Sequence, residues 1–341
     1  MLYVVLFFLM ASLLLYVLLA GADFGAGIIE LFSSKKSQDI TKKTVYRVIG
    51  PVWEANHIWI IIIVVILWVG FPEFYNVLAV YLHIPLTLVL LGITLRGVSF
   101  VFRHYDAFKD KSQVLYDWMF RFSSLVSPIF LGITFGATIS GEIILKPTAS
   151  DTFYTVYVAS WLNGFSILIG LFFAALCAFL ASVLLIGEAE SSKRFIYVRK
   201  AKVANITVIS IGFMVLAYGV INDIKFVKDF IENPYAIGLL ILYGILIIPL
   251  TYSIKKATRI KSRFLAGVQV VLILLAAMVT HYPELIITSE DTINLVETAS
   301  VPKVIQVLGV SLIIGGVIIL PGIFHLMKSF KMIKILDHFN N

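Results

Sequence analysis

Nine long apolar stretches, separated by short polar segments, make up most of the chain. Each is long enough to cross the roughly 30 Å hydrocarbon core of a bilayer as an α-helix that rises about 1.5 Å per residue. The stretches cover roughly residues 4–31, 52–71, 76–101, 119–139, 157–186, 203–221, 235–253, 264–281 and 304–327. This pattern predicts an all-α polytopic membrane protein with about nine transmembrane helices, in which residues 1–341 form a single integral membrane domain.

The composition supports this fold class and excludes a soluble globular protein. Hydrophobic residues make up 60% of the chain and charged residues 14%, and the mean hydropathy is +0.98. No basic segment or small-residue cleavage site accompanies the first apolar stretch, so we expect residues 2–29 to be retained as the first helix. The basic loops at residues 33–47 and 191–199 resemble each other and lie four spans apart, which suggests two four-helix bundles plus one peripheral helix.

The positions of Lys and Arg between the spans predict the orientation of the chain. Segments 32–49, 102–118, 187–202 and 254–263, together with the C-terminal tail, hold 21 of the 27 basic residues. By the positive-inside rule, the N-terminus is expected outside and the C-terminus in the cytoplasm. The formal net charge of +7 therefore reflects topology and gives no support for nucleic-acid binding.

Three of the charged residues that lie within or at the edge of the apolar stretches are expected to share one leaflet. Asp23 lies near the inner end of the first span, Glu54 near the start of the second and Arg96 near the end of the third. All three are therefore predicted to meet in the cytoplasmic half of the membrane. A charge at that depth costs several kcal/mol unless it is paired, hydrated or neutralised, so each acid is a candidate functional residue.

Neighbouring polar and aromatic residues add to the predicted site. Trp53 and Asn56 flank Glu54 and share one helix face, because they are three residues apart. Glu30 follows Asp23 by seven residues, which places both acids on one face at two depths. This spacing is expected of a water-assisted proton path from the cytoplasm. The alternative is that the acids pair with the arginine of the third span and only fix helix packing.

Small residues accompany the first of these acids. Gly21 and Gly25 form a small-xxx-small pair around Asp23. Such a pair lets the backbone of a neighbouring helix approach closely. We therefore expect Asp23 to face another helix and to point away from lipid.

The cysteine and histidine residues argue against a cofactor bound by this chain. Cys177 is the only cysteine, which excludes an internal disulfide, an iron–sulfur cluster and covalently attached haem. A b-type haem held by two imidazoles needs two histidines at similar depth on facing helices. The six histidines are spread over both sides of the membrane and its loops. We predict that this chain binds no haem and no metal ion.

Four motifs, taken together, resemble those of a known family. They are Gly21-x-Asp23-x-Gly25-x-Gly27 in the first span, Gly50-Pro51-x-Trp53-Glu54-x-Asn56-x-x-Trp59 in the second, Arg96-Gly97-x-x-Phe100-x-x-Arg103 in the third, and Asp117-Trp118 with residues 128–141 in the fourth. In these motifs the chain resembles subunit II of the cytochrome bd family of quinol oxidases.

The resemblance implies a nine-helix subunit of the bacterial cytoplasmic membrane that pairs with subunit I. Subunit I would hold haem b and haem d and oxidise quinol, while this chain would bind no haem and would help to form a cytoplasm-facing proton path for the reduction of oxygen to water. By the same resemblance, Trp53 and Glu54 match the proton inlet and Asp23 matches the acid of the first helix. Asn56 and Arg96 are candidate supporting residues. Small accessory membrane subunits, a membrane lipid or a quinone are further candidate partners.

A proton-coupled secondary transporter is the alternative from another functional class. It would use the same acids, together with helices interrupted at Pro85, Pro128 and Pro321. Such interruptions are also common in membrane helices of other functions, because neighbouring groups satisfy the carbonyls that proline leaves unpaired. A gene for subunit I beside this one would favour the oxidase, and a lone gene would favour the transporter.

Overall fold

Long apolar helices form the fold, because only a continuous helix satisfies every backbone hydrogen bond of a segment within hydrocarbon. The computed structural model describes residues 1–50, 53–105, 112–189 and 193–329. In these residues, nine helices are long and apolar enough to cross a membrane. They are Leu2–Leu31, Trp53–Gly70, His83–Arg103, Ser112–Ser140, Gly164–Glu188, Arg194–Ile221, Pro234–Lys255, Arg259–His281 and Pro302–Gly322. The prediction of an all-α membrane protein with nine spans is confirmed, while its grouping into two four-helix bundles stays a prediction.

The first span is one helix with an irregular turn in its middle. Helix α1 (Leu2–Leu15) continues through a π-helical turn at Tyr16–Ala20 into α2 (Gly21–Leu31). A π-helical turn holds more residues than an α-helical turn, so it rotates α2 relative to α1, and such turns are frequent at functional sites. This turn directly precedes the segment that carries Asp23.

A surface helix, α3 (Lys35–Ile49), follows the first span; the pattern of long apolar stretches did not predict it. It is amphipathic, because Val45, Val48 and Ile49 are buried against the bundle while Lys43 is exposed. Helix α3 packs against α2 and lies among the basic segments. We call this side of the molecule the basic end; it is the side predicted to face the cytoplasm.

The second span consists of α4 (Trp53–Asn56) and α5 (Ile58–Gly70), and two helices follow it, α6 (Pro72–Tyr81) and α7 (His83–Tyr105). The membrane-length helix of the third span therefore starts at His83, seven residues later than the predicted residue 76. Pro85 explains the difference. It has no N–H to donate to the carbonyl of Tyr81, so α6 ends there and a new helix begins with proline in its first turn.

The fourth and fifth spans are α8 (Ser112–Ser140) and α10 (Gly164–Glu188), with a short helix α9 (Phe153–Tyr157) between them. The fifth span was predicted to begin at residue 157, but α10 begins at Gly164. Asn163 sets this start, because its side chain accepts a 2.8 Å hydrogen bond from the backbone N–H of Ser166. An asparagine in that position caps a helix by satisfying an N–H that has no partner within the helix.

The C-terminal half adds four spans and a small hairpin. Its elements are α11 (Arg194–Ile221), α12 (Lys225–Glu232), α13 (Pro234–Lys255), α14 (Arg259–His281), β1 (Glu284–Ile287), β2 (Thr292–Asn294) and α15 (Pro302–Ser329). Strands β1 and β2 pair antiparallel, with Ile286 opposite Ile293. The helical periodicity gave no signal for this hairpin, which lies outside the spans at the end opposite to the basic end.

Helix α10 packs against α2, α8, α11 and α14, and small residues allow two of these contacts to be close. A Cβ added at Gly25 of α2 would overlap the carbonyl of Cys177 in α10. A Cβ at Gly132 of α8 would lie 2.7 Å from the Cα of Gly170. The prediction that Gly25 permits close approach of a neighbouring helix is confirmed, while Gly21 has room for a Cβ at ordinary contact distance, 3.5 Å from Leu180.

Candidate functional site

Two acids on α2 face two arginines on α7 with the same spacing. Asp23 and Glu30 are seven residues apart, as are Arg96 and Arg103. Seven residues are close to two helical turns, so each pair of residues lies on one helix face about 10 Å apart along the axis. The pairs meet in the same order along both helices, Asp23 with Arg96 and then Glu30 with Arg103. The two helices therefore run in the same direction.

The deeper pair joins Asp23 to Arg96, and both side chains are 1% exposed. Nη1 and Nη2 of Arg96 donate to the two carboxylate oxygens of Asp23 at 2.8 and 2.7 Å. Nη2 also donates to the Asp23 carbonyl at 3.0 Å, and Nε donates to Ser124 Oγ of α8 at 3.0 Å. The aromatic rings of Phe24 and Phe120 lie 5.3 and 4.9 Å from the guanidinium carbon. This bidentate geometry gives charge-assisted hydrogen bonds in a site closed to solvent.

The second level lies closer to the basic end and is built around Glu30, which is fully buried. Its Oε1 accepts hydrogen bonds from Arg103 Nη2 at 2.6 Å and from Arg121 Nε of α8 at 2.9 Å. Arg103 Nε also lies 2.9 Å from Asp117, which forms a 2.7 Å salt bridge with Lys42 of α3. Asp117 is 20% exposed, so the ionic cluster extends from the buried Asp23 level to the surface of the basic end.

The paired charges of this cluster also constrain how the helices that carry them pack together. Three carboxylates, Asp23, Glu30 and Asp117, are distributed among the arginines of α7 and α8, and each charge lies beside an opposite one. A buried charge without a partner carries a desolvation cost of several kcal/mol. The cluster therefore holds α2, α3, α7 and α8 in one register, because a shift of one helix would leave charges unpaired.

The structure brings two of the five predicted site residues into direct contact, Asp23 and Arg96. Glu54 is exposed on α4 and does not take part in the Arg96 interactions, so the alternative in which Glu54 pairs with Arg96 is not what the geometry shows. Trp53 packs beside Phe100 of α7, with ring centroids 5.3 Å apart. Asn56 is 9% exposed.

The site also contains four residues that the sequence pattern did not predict for it: His57, Arg103, Arg121 and Asp117. His57 Nε2 lies 4.0 Å from Asp23 Oδ2, and the imidazole ring lies 5.7 Å from the ring of Phe24. A signal for Arg103 was present, because its seven-residue spacing from Arg96 equals that of the two acids on α2. The arginine and aspartate of α8 gave no such signal, since their partners depend on how α8 packs against α2 and α7.

Comparison with known proteins decides the family. Residues 1–330 match the family described as cytochrome bd terminal oxidase subunit II. The chain belongs to this family. The match includes every residue of the ionic cluster, and it confirms the resemblance that the four motifs indicated.

Similar proteins are found in several bacteria. Cytochrome bd ubiquinol oxidase subunit 2 of Bacillus subtilis (strain 168) is 31% identical over 160 residues, 47% of this chain and 45% of the relative. Cytochrome bd-I ubiquinol oxidase subunit 2 of Escherichia coli (strain K12) is 25% identical over 150 residues, 44% of this chain and 39% of the relative. The chain therefore matches less than half the length of these curated relatives.

A solved structure has the same fold as this chain over almost the whole length of both. A chain from the structure of bd oxidase from Geobacillus thermodenitrificans superposes with a TM-score of 0.78. The superposition covers 97% of this chain and 99% of that chain, at 16% sequence identity. At this identity the likeness shows the fold alone.

Three of the histidines that the structure describes lie in different environments. His57 lies beside Asp23, His83 is exposed with Nδ1 2.8 Å from the Val80 carbonyl, and His281 lies 3.0 Å from Asp229. Within the described residues, no group of three or more His, Cys, Asp or Glu side chains could hold a metal ion. The expectation that this subunit II chain binds no haem or metal stays a prediction.

Proposed function

We propose that this chain is the haemless subunit II of a cytochrome bd-type quinol:oxygen oxidoreductase in a bacterial aerobic respiratory chain. The observation that carries the proposal is the family match over residues 1–330. The relatives' names agree with it, since they are called ubiquinol oxidase subunits. This match supports the oxidase subunit over a proton-coupled transporter, which rests on membrane features common to many functions.

Subunit I is the proposed partner, and it would hold haem b and haem d and oxidise quinol. Glu54 supports a partner surface on the second span, because a carboxylate exposed on a membrane helix cannot face lipid without a large desolvation cost. In this chain, α5 exposes Ile61, Val64 and Trp68 on the turns that follow Glu54. A neighbouring subunit that covers this apolar face would also supply a polar or hydrated environment for Glu54.

The proton path is the second part of the proposal. Reduction of oxygen to water consumes protons, and taking them from the cytoplasm while quinol releases its own outside separates charge without a pump. Glu54 would form the inlet beside Trp53, because Glu54 is the exposed acid of the predicted set. Asp23 would be the next acid along this path, and Arg96 and Asn56 would support it.

The Asp23 geometry also supports a purely structural role for that residue. Both of its carboxylate oxygens accept hydrogen bonds from Arg96, which favours a fixed ion pair over an acid that exchanges protons. The two roles differ in what a neutral substitution changes. A structural residue affects assembly, while a proton-carrying residue affects turnover of complexes that have assembled.

Expression of the chain with and without subunit I tests the assignment of cofactors and partner. Alone, the purified chain is expected to show no absorption from dithionite-reduced haem. Coexpressed with subunit I, it should copurify in roughly equal amounts with a haem-containing complex that oxidises quinol with oxygen. A b-type haem spectrum from the single chain, or failure to copurify with subunit I, would overturn the proposal.

A further inference from the structure

A second ionic cluster lies at the basic end, where α10 ends and α14 begins. Arg259 Nη2 and Arg263 Nη2 both donate to the same oxygen, Oε1 of Glu188, at 2.6 and 2.8 Å. Arg47 of α3 donates to the backbone carbonyl of Glu188 at 2.6 Å. Two arginines therefore share one carboxylate, and a third binds the backbone carbonyl of the same residue. The arginines of α14 remain 32% and 27% exposed, so this excess of positive charge is open to the outside of the bundle.

An apolar groove runs along α14 directly from this cluster into the membrane span. Its volume is about 320 Å³, at the lower end of the range of ligand pockets. It is lined by Arg263, Phe264, Gly267, Val268, Val271 and Leu272. Except for Arg263 at its head, the lining is apolar.

Gly267 keeps the middle of the groove open. A Cβ added at this position would have no described protein atom within 4 Å. The backbone of α14 is therefore accessible here, one turn below Arg263, to a chain that enters from the bilayer. An extended hydrocarbon chain fits an open apolar groove that follows one membrane helix.

We propose that the groove binds one anionic phospholipid, with its phosphate at Arg259 and Arg263 and one acyl chain along Gly267 to Leu272. Arginine is suited to phosphate because its planar guanidinium donates two parallel hydrogen bonds. Clusters of Lys and Arg beside a membrane helix on the cytoplasmic side, where the basic end is predicted to lie, attract the headgroups of acidic lipids. The excess of arginine over carboxylate selects a negative headgroup, and the groove below it selects a lipid over a soluble anion.

Lipid retention measured by native mass spectrometry tests this site. The full chain, with the subunits that copurify with it, would be released from bilayers of equal parts phosphatidylglycerol and phosphatidylcholine. We expect the unmodified protein to retain phosphatidylglycerol preferentially. Gly267→Leu fills the groove without changing charge, and it should lower this retention about tenfold, because buried acyl methylenes lose their contacts.

Gly244→Leu on α13 is the matched control, since Gly244 also has open space around an added Cβ but lies on another helix. It should leave retention unchanged, and equal thermal unfolding midpoints of the two variants would show that both are folded. Arg259→Gln tests the headgroup, and it should reduce the preference for phosphatidylglycerol over phosphatidylcholine. Excess inorganic phosphate should not displace the lipid, because phosphate lacks the acyl chain.

Three outcomes would overturn the proposal. They are equal retention of both lipids by the unmodified protein, unchanged retention in Gly267→Leu, and a retained mass that corresponds to a quinone. The measurement reads bound lipid and not quinol oxidation. Failure of the lipid site would therefore leave the proposed oxidase function untouched.

Discussion

Arg96 binds Asp23 through both carboxylate oxygens, at 2.8 and 2.7 Å, and this pair joins two helices that run in the same direction. Seven residues further along both helices, Arg103 forms the corresponding pair with Glu30. Two fixed points at different depths prevent α2 from sliding or rotating against α7. The pairing therefore gives the first and third spans a defined register, which apolar contacts in lipid would specify less strongly.

Removal of Arg96 is expected to destabilise the protein. In Arg96→Gln the Asp23 carboxylate stays buried without its counter-charge, so the free energy of unfolding should fall by about 3–5 kcal/mol. The measurement is the thermal unfolding midpoint of the purified protein, together with its yield from membranes.

The double variant Asp23→Asn with Arg96→Gln is the control for this prediction. Two amides in contact leave no buried charge, so the double variant should be more stable than Arg96→Gln alone. If both single variants and the double variant unfold like the unmodified protein, the ion pair does not hold α2 against α7.

Gly25→Ala should disrupt the contact between α2 and α10. The added methyl group would overlap the Cys177 carbonyl, and a backbone cannot move aside as a flexible side chain can. Gly21→Ala is the matched control, because its methyl group would meet Leu180 at an ordinary 3.5 Å. We expect a lower yield of folded protein for Gly25→Ala, and more so for Gly25→Leu, with near-normal yield for Gly21→Ala. Equal yields of all these variants would show that the glycines do not set the helix spacing.

Glu30→Gln should be more damaging than Asp117→Asn, although both acids contact Arg103 and Arg121. Glu30 is fully buried, whereas Asp117 is 20% exposed and water can screen the charges left by its removal. Comparison of the two thermal unfolding midpoints measures this difference. We expect the lower midpoint for Glu30→Gln. A lower midpoint for Asp117→Asn would show that the exposed acid stabilises the cluster more than the buried one.

Glu54→Gln separates a proton-carrying role from a packing role in the assembled oxidase. Glutamine keeps the shape and hydrogen-bonding capacity of glutamate but cannot carry a proton. If Glu54 forms the proton inlet, quinol oxidation per haem should fall steeply while haem content and yield of the complex stay near normal.

Glu54→Asp is the companion variant, and it should retain appreciable turnover because it keeps the carboxylate. A packing role predicts a different result, namely a lower yield of Glu54→Gln with normal turnover for each assembled complex. Unchanged turnover per haem in Glu54→Gln would remove this residue from the proton path.

The sequence by itself determined the membrane spans, because the length and apolarity of a segment decide whether it can lie in hydrocarbon as a helix. It also singled out Asp23 and Arg96, since a charge within an apolar stretch requires a partner wherever the helix packs. The start of α10 and the break before Pro85 were missed for a local reason. A capping side chain and a missing N–H act over one turn, while the hydrophobic pattern averages over many residues.

Only the tertiary structure decided which charges meet. Arg96 had two candidate partners in the sequence, and the parallel packing of α2 and α7 selected Asp23 and left Glu54 exposed. The same packing brought Arg121 of α8 to Glu30, a partner 91 residues distant. Side-chain pairing between helices depends on their rotation and depth relative to each other. Those quantities follow from contacts such as Gly25 against Cys177, which no pattern within a single helix contains.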